Sequence, residues 1–144
     1  MHTSISRIKI NAPIPKVWEA ITNPEMVKLW QYGSILTTTW ETGSSIRFST
    51  EWNGQVFEQW GSVIEFSPNS TLKYSLFAPR PGIIDSPENY FFMTYHLDFI
   101  QGETTLSIIQ DDPRPQTQSE GQQEDKEEGE NPILLGLKAL IEKI

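Results

Sequence analysis

The sequence contains no cysteine and only two histidines, His2 and His96, among its 144 residues. Cysteine and histidine supply the ligands of structural zinc sites, and cysteine supplies thiol nucleophiles and redox pairs. These classes of site are therefore excluded, and we expect neither a metal ion nor another cofactor. The length fits a single domain over residues 1–144, large enough to bury roughly two-thirds of its unfolded surface without a covalent staple.

Long apolar runs are also missing. Residues 1–12 lack the apolar centre of a signal peptide, and no stretch approaches the length of a membrane span. The sequence therefore predicts a cytoplasmic protein with no membrane-spanning segment. Asn69-Ser70-Thr71 matches the glycosylation pattern, but without a secretion signal it is interpreted as a turn.

Catalytic motifs are absent from the sequence as well. It has no Gly-x-Ser-x-Gly elbow, no phosphate-binding glycine loop and no histidine-rich metal motif, so no residue is assigned a catalytic role. His96 alternates with Tyr95 and Leu97 and is expected on the solvent side of its strand. Glu58 lies two residues before Trp60 and shares its face. Buried there, its pKa would be raised and it could act as an acid or base, whereas at a wet edge it would be an ordinary surface carboxylate.

The formal net charge of −8 argues against nucleic acid as a partner. Much of this charge lies in residues 120–130, which hold six acidic residues and one basic residue, Lys126. Such a run is typical of a solvated helix face or a mobile segment, and a docking site for a partner is the alternative. Because residues 116–130 carry almost no apolar side chain, we expect them to be the most mobile part of the chain apart from its ends.

Aromatic residues, by contrast, are concentrated in one region. Trp40, Trp52 and Trp60 lie around Asn53-Gly54, a pair that favours a two-residue or bulged hairpin turn because both residues tolerate positive φ. Before this turn apolar and polar residues alternate, as in a strand with one dry and one wet face. The segments on both sides of the turn are therefore predicted to pair antiparallel.

Helical spacing marks three further segments. Apolar residues recur at helical intervals from Ile14 to Ile21, and a second short helix is predicted from Pro24, with Asn23 as its N-cap. Asn131-Pro132 repeats this start before an apolar stripe formed by Ile133, Leu134, Leu137, Leu140, Ile141 and Ile144. We expect one long terminal helix from residue 116 onward, irregular near 129–132, whose stripe covers a sheet.

The segment between the helices consists of predicted strands and turns over residues 35–111. Strands 72–76 and 93–99 each alternate between a dry and a wet face. A long loop at residues 79–87 interrupts the sheet, and long loops in small domains are often functional. The pattern predicts an α+β fold with an antiparallel sheet.

Six segments, taken together and in order, carry a resemblance to a known family. They are Ile10-Asn11-Ala12-Pro13-Ile14, Val17-Trp18-Glu19-Ala20, Asn23-Pro24-Glu25, Gly43-Ser44-Ser45-Ile46-Arg47-Phe48, Gly61-Ser62-Val63-Ile64-Glu65-Phe66 and Leu134-Leu135-Gly136-Leu137-Lys138-Ala139-Leu140. Nearly the whole chain resembles the helix-grip fold of the START-like, Bet v 1-like (SRPBCC) superfamily. Within it, the chain is similar to the family named for the activator of heat-shock protein 90 ATPase.

The resemblance implies a curved antiparallel sheet wrapped around a long C-terminal helix, with two short helices after the first strand. It also implies a cavity between sheet and helix, which in many relatives holds an apolar molecule. The residues expected to line it are Trp40, Phe48, Trp60, Tyr74, Tyr95, Phe99, Leu134 and Leu137. The alternative is that the aromatic residues fill the core, since each contributes about 2 kcal/mol by leaving water, with or without a ligand.

Three functions remain open at this point. The first is binding of a small apolar or amphipathic ligand in the cavity. The second is a protein-interaction module, such as a co-chaperone-like regulator with a protein partner. The third is an enzyme that acts on a cavity-bound hydrophobic substrate with Glu58 and tyrosine hydroxyls.

Overall fold

A computed structural model describes residues 2–31, 33–112 and 132–143. The elements in this part of the chain are, in order, β1 (His2–Ile10), α1 (Ile14–Thr22), α2 (Pro24–Trp30), β2 (Ile35–Thr38), β3 (Ser45–Trp52), β4 (Gln55–Ser67), β5 (Thr71–Leu76), a short 3-10 helix (Pro87–Asn89), β6 (Phe91–Ile100), β7 (Glu103–Asp112) and α3 (Pro132–Lys143). The terminal helix predicted from residue 116 is thus seen from Pro132 onward. Residues 116–130, with their acidic run and predicted mobility, lie outside the described residues.

The strands form one seven-stranded antiparallel sheet in the order β1-β7-β6-β5-β4-β3-β2. After β1 the chain passes through α1 and α2 to the far edge of the sheet at β2. It then returns strand by strand until β7 pairs with β1. This arrangement, with its terminal helix, is the helix-grip fold, so the predicted fold class is confirmed.

The hairpin between β3 and β4 follows the sequence prediction. Trp52 pairs with Gln55 across a two-residue turn. Asn53 and Gly54 both have positive φ, 52° and 77°. Two successive positive φ angles give the turn a twist that matches that of the flanking strands. The turn sets the register of the whole β3–β4 pair, and therefore which side chains face the interior.

The helices cover one face of this sheet, which we call the inner face. Asn23 caps α2 as predicted, because its side chain accepts a hydrogen bond of 2.9 Å from the Glu25 amide. Trp30 at the end of α2 donates its indole N–H to the Ala20 carbonyl at 2.8 Å, which joins α2 to α1. The core beneath the helices contains the fully buried side chains Ile8, Ile10, Val17, Val27, Ile46, Val63, Leu72, Leu106, Leu137 and Ile141.

One close approach between strands requires glycine. A β-carbon on Gly61 of β4 would lie 1.8 Å from the Ser75 carbonyl oxygen of β5, far inside van der Waals contact. Beside it, Trp60 and Phe77 exchange two backbone hydrogen bonds, and the Ser62 amide donates to the Ser75 hydroxyl. These bonds hold the two strands too close together for any side chain at position 61.

We expect Gly61→Ala to destabilise the fold by about 1–3 kcal/mol or more, because the two strands must separate to admit the methyl group. Denaturant unfolding measures the change. Gly136→Ala is the matched control: a β-carbon there meets nothing within 4 Å, and alanine in a helix interior stabilises by about 0.5–1 kcal/mol relative to glycine. Equal effects of the two substitutions would contradict this account of Gly61.

Candidate functional site

The side chains on the inner face change from apolar to polar along the strands. On β1 the inward positions run from Ile10 and Ile8, both fully buried, to Ser6 and Ser4, which are half-buried. The neighbouring strand β7 changes in the same direction, because Ile108 pairs with Ser6 and Gln110 with Ser4. Apolar packing therefore covers one end of the sheet, and polar side chains lie at the other: Ser4, Ser6 and Gln110, with the buried Asp112 two residues beyond Gln110.

The same change occurs across the sheet on β3. Ile46 is fully buried, Phe48 two residues later is half-buried, and Thr50 follows on the same face. Phe48 pairs with Gln59 and Thr50 with Phe57. β1 and β7 on one side of the sheet, and β3 and β4 on the other, thus bring polar groups to the same end of the molecule.

A cavity of about 570 Å³ lies at this end, between the sheet, the end of α2 and the first turn of α3. Ligand-binding cavities typically measure about 300–1,000 Å³. Its described lining consists of Ser4, Ser6, Trp30, Gln31, Ser34, Phe48, Thr50, Phe57, Gln59, Tyr74, Leu76, Phe91, Met93, Tyr95, Ile108, Gln110, Ile133 and Leu134. Phe57 and Ile133 are 52% and 38% exposed, so these two residues stand at its mouth.

Aromatic rings form one wall of the cavity around Tyr74. The ring of Tyr74 lies 5.7 Å from that of Phe48, 5.9 Å from that of Tyr95 and 6.4 Å from that of Trp40. These centroid separations fall within the range favoured by aromatic pairs. Trp40 also stacks on Phe66 at 5.4 Å, which fixes the wall from behind. The wall is therefore closely packed and largely apolar.

The tyrosine hydroxyls place a polar group in this apolar wall. The Tyr74 hydroxyl donates to the Tyr95 hydroxyl at 3.2 Å, and both residues are buried. The pKa of Tyr74 is raised well above its usual value, first because burial disfavours the phenolate and then through the charge of Tyr95 and their hydrogen bond. Burial also raises the pKa of Tyr95. Both phenols are therefore neutral at physiological pH.

The remaining polar groups of the lining are uncharged as well. They are serine and threonine hydroxyls and glutamine amides, and none of the described lining residues is Asp, Glu, Lys, Arg or His. Ser34 and Thr50 share a hydrogen bond of 2.6 Å at the β3 side. An isolated charge is costly to bury without a partner, so this lining suits an uncharged molecule.

Four of the eight residues predicted to line a cavity do so: Phe48, Tyr74, Tyr95 and Leu134. Trp40 instead packs behind Tyr74 and donates its indole N–H to the Thr22 carbonyl at 2.9 Å. Leu137 is fully buried in the core, one turn of α3 beyond Leu134. Whether the four lining residues bind a ligand stays a prediction.

Trp60 and Phe99 lie away from the cavity, so their predicted place in its lining needs correction. Trp60 pairs with Arg47, whereas Phe48 pairs with Gln59, and successive residues of a strand point to opposite faces. Trp60 therefore lies on the outer face, where its indole N–H donates to the Asp85 carboxylate at 2.9 Å. Phe99 lies beyond the apolar end of the sheet, opposite the cavity, and is 55% exposed.

Several lining residues were not predicted from the sequence. Trp30, Gln31 and Ser34 come from the end of α2 and the connection after it, so no strand pattern could place them at the cavity. Ser4, Ser6 and Gln110 had a detectable signal. Ser4 and Ser6 occupy inward positions of β1, whose other inward residues are Ile8 and Ile10, and Gln110 follows the inward residues Leu106 and Ile108 of β7.

The ionisable residues considered as catalysts lie on the outer face. The Glu58 carboxylate accepts from the Arg47 guanidinium at 2.8 Å, and both side chains are largely exposed. His96 contacts the Thr71 hydroxyl at 2.8 Å and lies 3.4 Å from the Asp98 carboxylate. In the described parts of the chain no group of three or more His, Asp or Glu side chains is placed to hold a metal ion. None of the described helices has the length and apolar character needed to cross a membrane.

Comparison with known proteins places this geometry in a family. The family described as activator of Hsp90 ATPase homolog 1-like protein matches residues 11–142. The chain belongs to this family. A search of curated proteins finds no match.

Solved structures agree with this assignment. A protein from Cytophaga hutchinsonii, solved in solution, is 36% identical, with a TM-score of 0.73 over 96% of this chain and 94% of that one. The Aha1 dimer from Colwellia psychrerythraea is 19% identical, with a TM-score of 0.61 over 83% and 82% of the two chains. Ara h 8.0201 is 11% identical, with a TM-score of 0.71 over 99% of both chains. The last two share the fold, which is that of the Bet v 1-like (SRPBCC) superfamily.

The raised pKa of Tyr74 predicts a loss of stability in alkali. The folded state keeps a phenol proton that the unfolded chain releases near pH 10. This contribution to stability is present in full below about pH 10 and is lost as the pH rises toward the raised pKa of the folded state. Unfolding midpoints in denaturant, measured from about pH 9 to pH 11.5, should fall less steeply for Tyr74→Phe than for the parent protein.

Tyr90→Phe is the control for this measurement. Tyr90 is half-buried and bonded to Asp85, and its pKa is also raised, but less than that of Tyr74. Its removal should flatten the alkaline decline less than removal of Tyr74. Identical slopes for the parent protein and Tyr74→Phe would show that the Tyr74 phenol ionises as readily in the folded state as in the unfolded chain.

Proposed function

We propose that this chain binds a small, uncharged and mostly apolar molecule in the cavity between the sheet, α2 and α3. The observation that carries the proposal is the cavity itself, about 570 Å³ in volume and lined by aromatic rings and uncharged polar groups. Small-molecule sites are concave and mostly apolar, measure about 300–1,000 Å³ and carry a few polar groups. The volume and the lining of this half-open cavity match that description, which supports binding.

The lining supports binding over the alternative of a filled core. Each aliphatic side chain added to a core increases the stability of the fold, because buried apolar surface stabilises it by about 25 cal/mol per Å². At the cavity, however, β1 carries Ser4 and Ser6, and β7 carries Gln110. These side chains forgo that stabilisation and offer hydrogen-bonding groups instead. A ligand that fills the space would regain the lost contacts.

Binding is also supported over catalysis. A general acid or base must reach the reacting atoms, and Glu58, the acid considered for this role, is bonded to Arg47 on the outer face. The ionisable groups in the described lining are two neutral phenols, Tyr74 and Tyr95. Membership of a superfamily whose fold encloses ligand cavities agrees with binding.

The direct test is titration with the uncharged fluorescent probe N-phenyl-1-naphthylamine, together with native mass spectrometry of protein purified from its source. The probe should bind saturably at one site and reduce tryptophan emission, since Trp30 lines the cavity. Ser6→Phe should lower probe affinity by about tenfold or more, equivalent to about 1.4 kcal/mol, because the added ring occupies the cavity.

Ser107→Phe is the matched control for Ser6→Phe. Ser107 lies on β7 and pairs with Arg7, the neighbour of Ser6, so the same ring is added to the outer face. It should leave probe affinity unchanged. If the parent protein shows no saturable binding, or if both variants bind the probe equally well, the ligand-binding proposal is overturned. The protein-interaction function named for this family would then be the better account.

A further inference from the structure

The two buried tyrosines of the cavity hold one hydroxyl proton more than their own hydrogen bond uses. Tyr74 and Tyr95 are 3% and 6% exposed, and their oxygens lie 3.2 Å apart. Each hydroxyl has one proton, and one proton suffices for the bond between them. Among the described residues no acceptor receives the other proton. Within the described residues, one O–H donor of this pair is thus left for a molecule in the cavity. A ligand without an acceptor would displace water from this donor without replacing the hydrogen bond.

The surroundings of the pair determine what could satisfy this donor. The other rings around Tyr74 are Phe48 and Trp40, and neither offers a side-chain acceptor. The indole N–H of Trp40 is already donated to the Thr22 carbonyl. A carbonyl oxygen accepts a hydrogen bond and brings no proton that needs an acceptor of its own, so it can satisfy this donor without a second polar partner.

We propose that the Tyr74–Tyr95 pair recognises a carbonyl oxygen, so that the ligand of the cavity is an uncharged, largely apolar ketone, ester, lactone or similar carbonyl compound. This inference rests on the proposed function, because it specifies the ligand class of the same cavity. The phenol proton that the pair does not use is donated to the carbonyl oxygen. The rest of the ligand contacts apolar lining such as Phe48, Met93 and Ile108.

The charge of the lining separates this class from fatty acids and other carboxylates. A carboxylate would also accept the phenol proton, but the described lining carries no cation to offset its charge. Burial without such a partner disfavours the ionised form. A carbonyl compound needs no counter-charge and is therefore the ligand that the lining fits.

The test compares three molecules of nearly the same shape as competitors of N-phenyl-1-naphthylamine. They are 2-acetylnaphthalene, which carries the carbonyl; 2-isopropenylnaphthalene, in which a methylene group replaces the oxygen; and 2-naphthoate, in which a charged oxygen replaces the methyl group. In the parent protein we expect 2-acetylnaphthalene to bind about tenfold more tightly than 2-isopropenylnaphthalene, the effect of satisfying one buried donor. The charged 2-naphthoate should bind most weakly.

Substitutions then show which side chains cause the preference for 2-acetylnaphthalene over 2-isopropenylnaphthalene. Either single variant, Tyr74→Phe or Tyr95→Phe, leaves one hydroxyl with a free proton and should keep much of the preference. The double variant Tyr74→Phe/Tyr95→Phe removes the donor. The ratio between the first two competitors should then fall to within about twofold, with the affinity for 2-isopropenylnaphthalene retained. The matched control is Tyr90→Phe, which removes a phenol hydroxyl bonded to Asp85 outside the described lining and should keep the tenfold ratio. Ser34→Ala/Thr50→Val, which removes the other hydroxyl pair of the lining, tests whether that pair supplies the donor instead.

The outcomes are distinguishable even if the double variant does not fold, because the three competitors are compared in the parent protein. Equal binding of 2-acetylnaphthalene and 2-isopropenylnaphthalene, or tightest binding of 2-naphthoate, overturns the carbonyl inference and leaves ligand binding intact. Loss of the preference in Ser34→Ala/Thr50→Val alone assigns the donor to that pair and overturns the role of the tyrosines. Failure of the probe itself to bind overturns the proposed function and this inference with it.

Discussion

The attachment of α3 to the end of β1 determines where a cavity can exist in this fold. The Lys138 ammonium donates to the Lys9 carbonyl at 2.7 Å, and the Glu142 carboxylate accepts from the Asn11 amide at 2.7 Å. The two side chains also form an ion pair of 2.8 Å, and Lys138 lowers the pKa of Glu142. Partly exposed polar contacts of this kind add little stability. Their effect is to fix the position of the helix, while burial of its apolar side supplies the stabilisation.

With α3 attached to the end of β1, its two halves cover different parts of the sheet. Leu137 and Ile141 are fully buried over the end of the sheet that carries Ile8 and Ile10. The first turn, with Leu134, extends over the end where the inward side chains are polar. A helix displaced along its axis would either fill the cavity or expose the core. The same attachment therefore supports both the stability of the fold and the open space.

The sequence predicted most of the fold because its local signals agree with one another. Asn53-Gly54 has the backbone freedom that its turn needs, and Asn23 and Pro24 start α2 as capping chemistry requires. Alternation then gives each strand its dry face. Signals of this kind act over a few residues, and they determine local structure before any long-range contact is made.

The cavity was harder to predict because it depends on register and on position along the strands. Phe48 and Trp60 were both expected to line the cavity, but the two-residue turn pairs Phe48 with Gln59 and turns Trp60 outward. Phe99 lies four residues after Tyr95 on β6 and so shares its inner face, but it lies past the end of the core. Neither the apolar nor the polar pattern states how far a helix reaches over a sheet, so the limit of the core appears only in three dimensions.

The ligand class follows from the side chains of the lining and not from the fold. Proteins as different in sequence as Ara h 8.0201, at 11% identity, share this architecture, and a shared fold does not determine what a site binds. In this chain the described lining lacks ionised groups, and its buried phenols, Tyr74 and Tyr95, together hold one proton more than their mutual bond uses. If the cavity binds a ligand as proposed, a described lining without charge offers no partner to an ion. The unused donor would then favour a ligand with an acceptor, because an apolar molecule without one makes no hydrogen bond to it.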